Sequence, residues 1–526
     1  MRKYGFVAVL LMGSLGTLRA QKFCDQIKSL VVDPTVAAAH WGVAVTALDG
    51  TPICGVNEGQ LFRPASNNKI FTTATALALL GPEKRFTTRV VGDAEIKGSV
   101  LHGDVRLIGG GDANFGGHDV PYLPVAQRAK EPTIIADIEE LADQIVAKGL
   151  RRVEGNVVGA DGMFAWEPYA PDWSVDDLVY GYGAPVSALT IHDNEIVMQV
   201  APNAKGTGAA MLTATPALPY YAIEQSVDTF DRGGDCDEQL HFRRGVGSKT
   251  LQVVGEVTLG KAPCTQAIAI HDPAEYAAMA LKAALERRGV RVSGKAVAQH
   301  VDESRFPRRI TAEDTGWEKL FEGAEAAPKT CTVEQTANAS RTRQTELAVH
   351  QSPTLLDDIR VTNKVSQNLH AELLLLNTAA NYACGQATRA DGVQLVRHYL
   401  LHAGLMPGDF LLYDGSGLSG HDLVAPRALS KFLSFAAMQP WFAAWKGTLP
   451  EGGVDGGLVT RYAGALKGRI FAKTGTLSEA RALSGYATAA SGKTVIFSVM
   501  VDTHLPGTGA ERVVMDKIVE AIAAGN

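Results

Sequence analysis

The chain has 526 residues, more than one hydrophobic core organises, so about two to four domains are expected. Apolar residues make up 46% of it and charged residues 20%, the balance of a globular protein rather than a disordered or fibrous one. A formal net charge of −6 with no run of Lys and Arg excludes a nucleic-acid binder, because phosphate contacts need clustered cations.

At the N-terminus, Arg2 and Lys3 precede an apolar stretch over 4–18 and the small Ala20. That is the layout of a secretory signal peptide over 1–20, and it predicts export. No later uncharged stretch is long enough to cross a bilayer. The apolar run 373–376 is short and follows Glu372, so it reads as a buried helix, and any membrane association is at most peripheral.

Residues 41–48 alternate as a strand, Asp49-Gly50 supplies a hairpin turn, and 51–56 return as a second strand. Arg63-Pro64-Ala65 leads into Ser66, and a helical run over 67–80 stops at Gly81-Pro82. Ser66 therefore stands where a loop enters a helix. From about 86 to 310 the texture changes to short strands (105–108, 155–159, 253–259) with Gly and Pro punctuation, plus helices over 134–148 and 273–288. The polar, Ala- and Thr-rich stretch 322–351 reads as a linker or exposed loop. Beyond it the pattern predicts a helix over 365–380, a loop over 413–419 and three strands of one antiparallel sheet (469–473, 482–489, 494–501). An amphipathic helix over 509–524 closes the chain, with Val513, Val514, Ile518 and Ile522 at near-helical spacing.

The six cysteines are Cys24, Cys54, Cys236, Cys264, Cys331 and Cys384. None stands in a CxxC or Cys/His zinc spacing, so no metal is expected. Export favours disulfides, and six cysteines allow 15 connectivities. Cys236 and Cys264 flank strand-like sequence and make the best single pair.

Three short motifs occur in chain order: Ser66-Asn-Asn-Lys69, Ser366-Gln-Asn368 and Lys473-Thr-Gly475. Alone, a Ser and a Lys three apart on a helix usually mean a solvated face. Together and in order, they match the trio of β-lactamases and penicillin-binding proteins. The spacing has a physical reason. Positions i and i+3 share a helix face, so the Lys69 amine reaches the Ser66 hydroxyl. A serine needs a neighbouring base to become a nucleophile. Lysine serves as that base only when neutral, a state favoured by burial and by a second cation, here Lys473. Ser366 is placed to relay a proton to the leaving amine, and Asn368 to hold the substrate backbone. Lys473 and Thr474 fit an edge strand that takes a peptide by β-addition and meets its terminal carboxylate. Gly475 keeps that wall clear of bulk, and the backbone N–H groups of Ser66 and Thr476 are the expected oxyanion hole.

These motifs and their surroundings resemble the D-alanyl-D-alanine carboxypeptidase/endopeptidase family, the class C low-molecular-mass penicillin-binding proteins. The resemblance extends to 65–70, 348–350 with 363–368, 414–419, 472–477 with 482–486, and, in the middle region, 107–112 and 182–189. It implies an α/β (α+β) fold: a penicillin-binding/β-lactamase-like transpeptidase domain, an antiparallel sheet flanked by helices, carrying two inserted, mostly β domains. The long separation of Lys69 from Ser366 fits that insertion and not the shorter gap of class A β-lactamases. The implied division is a discontinuous catalytic domain over 21–88 and 312–526, an inserted domain over 89–184 and 261–311, and a second over 185–260. The implied activity is serine D-Ala-D-Ala carboxypeptidase or endopeptidase action on peptidoglycan stem peptides in the periplasm. It includes covalent inhibition by β-lactams, needs no cofactor, and allows a homo-oligomer. Trp173-Ser-Val-Asp176 resembles the family segment that overhangs the site, which implies that Trp173 and Asp176 help hold the peptide's diaminopimelate end. As a helix or turn cap, Asp176 has an equally ordinary reading. The loop Gly420-His421-Asp422 departs from the family, where Arg and then Asn are common, and Gln367 replaces the commoner Asp.

The competing reading is a serine β-lactamase or esterase on the same fold, but no Glu stands like the deacylating base of class A enzymes. Gly109-Gly110-Gly111-Asp112 lacks the spacing of a dinucleotide loop. His370-Ala-Glu372 lacks the Pro-Cys-x-x-Cys of a zinc deaminase.

Overall fold

The computed structural model describes residues 23–116, 122–124, 127, 135–231, 236–306, 310–317, 321 and 344–525. The signal peptide expected over 1–20 lies outside them, as does the 322–343 part of the polar stretch. Strands β1 (His40–Ala47) and β2 (Pro52–Val56) form the expected hairpin, turning at Gly50 with φ +86°. Ser66 sits in a 3₁₀ turn (Ala65–Asn68) that runs into α1 (Lys69–Leu80). The middle region holds β3 (Thr87–Gly92), β4 (Val105–Ile108), α2 (Ala136–Ala147), β5 (Val157–Ala160), β6 (Glu195–Ala201) and β7 (Met211–Thr215). It continues through β8 (Ala222–Phe230), β9 (Leu240–Arg243), β10 (Thr250–Thr258), β11 (Cys264–Ala269), α3 (Pro273–Arg287) and β12 (Ala296–Gln299). After it come β13 (Thr345–Gln351), α4 (Leu355–Val365), α5 (Asn368–Tyr382), α6 (Arg389–His402) and α7 (Pro426–Ala437). The chain ends with β14 (Ile470–Thr476), β15 (Ala480–Thr488), β16 (Thr494–Asp502) and α8 (Ala510–Gly525).

The two ends of the chain build one antiparallel sheet in the order β2-β1-β16-β15-β14. Its strands are covered on both faces, so β1 and β16 are almost continuously buried. Alternation still sorts their side chains. Ile496 and Met500 join a core with Phe71 and Phe432 from α1 and α7, whereas Phe497 and Val499 join Val514 and Ile518 of α8. The mixed architecture, an antiparallel sheet flanked by helices, is the expected α/β (α+β) class.

The middle region carries separate sheets: β12-β5-β4-β3-β13, β7-β6-β11, and a four-stranded sheet of β8, β10 and β9 with the short strand Gly208–Ala209. Two pairings cross the expected boundaries. Residues 345–351, assigned to the catalytic segment, pair with β3 as β13, and β11 pairs with β6. An open β3 edge would leave a row of backbone donors and acceptors unpaired, and the returning chain closes it.

The helix expected over 365–380 is α5, which starts at Asn368, and a further helix, α4, precedes it. The α4 helix ends at Val365, Ser366 adopts φ +68°, and Gln367 accepts a bond from Leu369 N at 3.1 Å to start α5. Disulfides join Cys24 to Cys54 and, as expected, Cys236 to Cys264. Cys384 is also disulfide-bonded, and Cys331 lies outside the described residues. Among the described residues no helix is long and apolar enough to cross a membrane.

Candidate active site

The three motifs converge although α1, the α4–α5 junction and β14 are far apart in the chain. The Lys69 side chain points back along its own helix face, and Nζ donates to Ser66 Oγ at 2.8 Å. It also donates to Asn368 Oδ1 at 2.6 Å and to the Ser416 carbonyl at 2.8 Å. Lys69 is fully buried, and burial brings its pKa down to about 7 against the opposing pull of Asp414, Glu372 and Asp422. Lys473, also fully buried, donates to Ser366 Oγ at 2.7 Å and to the Thr474 carbonyl at 2.9 Å. Burial, and next the Lys69 charge, push Lys473 well below the ordinary lysine value. Asn368 spans the gap to the middle region by donating to the Tyr182 carbonyl at 2.8 Å.

Close packing explains the glycines around Ser66. A Cβ on Gly475 would lie 2.7 Å from the Pro64 carbonyl and 3.1 Å from Ser66 N, so only glycine lets β14 run against the Ser66 turn. Gly417, with φ +79°, would place a Cβ 1.8 Å from the Ala65 carbonyl.

Beneath the site lies a carboxylate cluster that no local motif announces. Asp414 Oδ1 accepts from Gly417 N at 2.6 Å, and Oδ2 accepts from Ser419 N at 2.8 Å, so the loop wraps around its own first residue. Glu372 accepts from Gly415 N and Ser416 N and pairs with Arg389 at 2.5 Å. Burial and then the Asp414 charge raise Glu372 to about 7. Asp422 is raised well above the ordinary carboxylate value by burial and next by the Asp414 charge. Asn68 ties this cluster to α1 by donating to Asp422 Oδ2 at 3.1 Å. The departure at Asp422 thus lies in the support beneath the site. His421 is more than half exposed and faces Asp172 instead.

The site opens into a cleft of about 460 Å³ lined by Ser66, Ser366, Asn368, Thr476, Asp177, Tyr182 and Arg481, among others. Neither Trp173 nor Asp176, the two substrate contacts the resemblance implies, is among the residues lining this cleft. Trp173 is buried and donates Nε1 to Asp414 Oδ2 at 2.9 Å, which makes it a clamp on the loop rather than a wall of the cleft. Asp176 is exposed at the start of the turn Asp177–Val179, and the carboxylate lining the cleft is its neighbour Asp177. One step around a 3₁₀ turn rotates a side chain by about a third of a circle, which is the whole difference. Asp177 Oδ1 accepts from Tyr182 OH at 2.9 Å, and burial raises its pKa. Thr474 sits with Oγ1 against Gly457, whereas Thr476, two residues along the strand, lines the cleft. Sequence reasoning did not single out Arg481. Its one signal was a lone cation opposite Thr476 in the strand register.

Residues 23–308 and 326–524 match the D-Ala-D-Ala carboxypeptidase 3 (S13) family. The chain is 30% identical over 507 residues to a D-alanyl-D-alanine carboxypeptidase of Actinomadura sp. (strain R39), covering 92% of this chain and 82% of that one. It is 23% identical to the D-alanyl-D-alanine carboxypeptidase DacB of Haemophilus influenzae over 86% of this chain and 83% of that one. Among solved structures, it is similar to penicillin binding protein 4 of Haemophilus influenzae, with TM-score 0.74 and 21% identity, covering 94% of this chain and 98% of that one. The same protein complexed with a novel β-lactam matches with TM-score 0.67 and 21% identity, over 92% of this chain and 97% of that one.

Proposed function

The chain belongs to the D-Ala-D-Ala carboxypeptidase 3 (S13) family, and on that premise we propose that it cleaves the D-alanyl bond of peptidoglycan stem peptides through an acyl-enzyme on Ser66. The observation that carries this reading is the 2.8 Å contact between a buried Lys69 Nζ and Ser66 Oγ. Neutral Lys69 takes the Ser66 proton as Oγ attacks the carbonyl carbon of the penultimate D-alanine. The oxyanion that forms is held by the backbone N–H groups of Ser66 and Thr476. The C–N bond then breaks, and the leaving amine takes a proton through Ser366 Oγ, which Lys473 holds in place. Water, deprotonated by the same machinery, releases the acyl group and restores Ser66. Asn368 positions the peptide backbone, and Thr474, Gly475 and Thr476 present the strand along which it lies.

The residue before the two D-alanines carries an amine in many stem peptides, and Asp177 is the acceptor on the cleft wall that suits it, in place of Asp176. A β-lactam, which mimics D-Ala-D-Ala, acylates the same oxygen and stays. The enzyme is exported and works in the periplasm. Fluorescent penicillin and peptide mass mapping test the central step. The expected result is one adduct, on the peptide containing Ser66, and, from purified sacculi, release of D-alanine or loss of peptide cross-links. An adduct elsewhere on folded protein, or none, overturns the assignment.

A further inference from the structure

A D-amino acid leaves this site carrying a free carboxylate, and neither catalytic lysine lines the cleft where it would lie. Lys69 is engaged by Ser66, Asn368 and Ser416. Lys473 faces Ser366 and the Thr474 carbonyl, and both lysines are fully buried. One further cation lines the cleft among the described residues, Arg481.

Arg481 stands on β15 directly opposite Thr476 of β14. Its Nε donates to Glu511 Oε1 at 2.5 Å, and the Glu511 side chain is only 2% exposed. Glu511 is fixed in turn by α8, with its other oxygen 3.3 Å from Thr508 Oγ1. This pairing grips the guanidinium by its Nε edge and leaves the two terminal nitrogens for the cleft. Nη1 donates to Thr476 Oγ1 at 3.2 Å, and Nη2 has no bond among the described residues. A hydroxyl that accepts from Arg481 turns its own hydrogen elsewhere. Thr476 O–H and the Arg481 fork thus form adjacent donors, the arrangement that a carboxylate takes bidentately.

We propose that Arg481, with the Thr476 hydroxyl it orients, is the anchor for the carboxylate of the leaving D-amino acid and so selects substrates with a free C-terminal acid. The inference rests on the reading of Ser66 as the acylated nucleophile. It also assigns Glu511 as a positioning residue, because it holds the arginine without reaching the cleft.

Two acyl-D-alanyl thiolesters that differ only in the leaving group test this: one releases mercaptoacetate, the other its methyl ester. Arg481→Gln should lower kcat/KM on the acid-bearing thiolester by about 10- to 150-fold, the size of one lost bond to a charged group, chiefly through KM. Hydrolysis of the methyl ester should change little, and Arg481→Lys should recover part of the loss. Equal losses on both thiolesters, or no loss on the acid, overturn the proposal. Should the buried Glu511 carboxylate destabilise Arg481→Gln, the double variant Arg481→Gln/Glu511→Gln carries the same comparison without an unpaired charge. Penicillin labelling of each protein separates the two levels. A wild-type chain with no adduct on Ser66 overturns the functional reading and this inference with it. A Ser66 adduct alongside equal losses overturns this inference alone.

Discussion

Lys69 is where burial becomes chemistry. A lysine in water holds its proton far above neutral pH, whereas burial brings this one to about 7. The acylation rate of Ser66 by penicillin should therefore rise with pH through a midpoint near 7, as the neutral amine replaces the ammonium. Lys69→Ala should lose about 10²- to 10⁴-fold in that rate and lose the pH step with it. Stopped-flow acylation across pH 5.5–9 checks both, with circular dichroism as the control for folding. A Lys69→Ala protein that keeps the step would pass the role to Lys473. The stability effect has its own sign. Because the folded pKa lies below the value of 10.5, the unfolded chain binds more protons between about 7 and 10.5, and this group's contribution rises with pH across that window. Ser66, Lys69, Ser366, Asn368 and Lys473 were legible in the sequence because each motif is local: four residues where a turn enters a helix, three at a helix junction, three on a strand. Asp414 and Asp422 beneath them were not, since their grip on Asn68 joins residues hundreds of positions apart. The resemblance pointed to Asp176, and its neighbour Asp177, which lines the cleft, was not singled out, because the phase of a short turn leaves no periodic trace.

At the level of elements, the junction of α4 and α5 carries the middle motif. Ser366 occupies the left-handed region, uncommon for a residue with a side chain, and something must hold it there. The structure supplies a buried triad one turn away: His370 lies between Asp358 Oδ1 at 2.6 Å and Asp193 Oδ1 at 2.9 Å, and Asp193 Oδ2 accepts from Gln367 at 2.8 Å. Burial opposes a charge on His370, but the two carboxylates outweigh it and raise its pKa to about 10. The raised value means that this stabilisation is fully present below about 6.5 and is lost as pH rises through about 10. His370→Ala leaves two buried carboxylates without their cation and should cost about 3–5 kcal/mol, read from urea unfolding at pH 6. The deficit relative to wild type should shrink above pH 10, and a constant deficit would reduce the triad to simple packing. The start of α5 was readable to within a turn, but the α4 helix and the break at Ser366 before it were not, because 365–380 contains neither Gly nor Pro to mark one. Its cause is the cap that Gln367 offers to Leu369 and the tie from Gln367 to Asp193 in the middle region.

At the level of the whole molecule, the catalytic sheet is stitched from both chain ends, while the middle region buries its own core around Leu107, Ile196, Val253 and Leu281. We propose on that basis that the division into a catalytic domain and an insert corresponds to separate units of stability. The gross plan was readable from the change in texture after residue 86. The strand β13, which crosses the boundary, was not, because 322–351 is polar enough to read as linker throughout. The two disulfides allow a test, since each staples one region. Cys24–Cys54 ties the N-terminal helical turns, residues 23–31, to β2 beside the catalytic sheet, across a separation of 30 residues. Cys236–Cys264 closes a loop of similar length wholly within the middle region, with a separation of 28. Closing a loop of such length stabilises its domain by about 3–4 kcal/mol. Cys24→Ser/Cys54→Ser should therefore lower the temperature at which fluorescent penicillin stops labelling Ser66. Cys236→Ser/Cys264→Ser should leave that temperature nearly unchanged, while lowering a separate calorimetric transition from the insert. Equal shifts in the labelling temperature from both pairs would mean that β13 and the Asn368–Tyr182 bond couple the two regions into one cooperative unit.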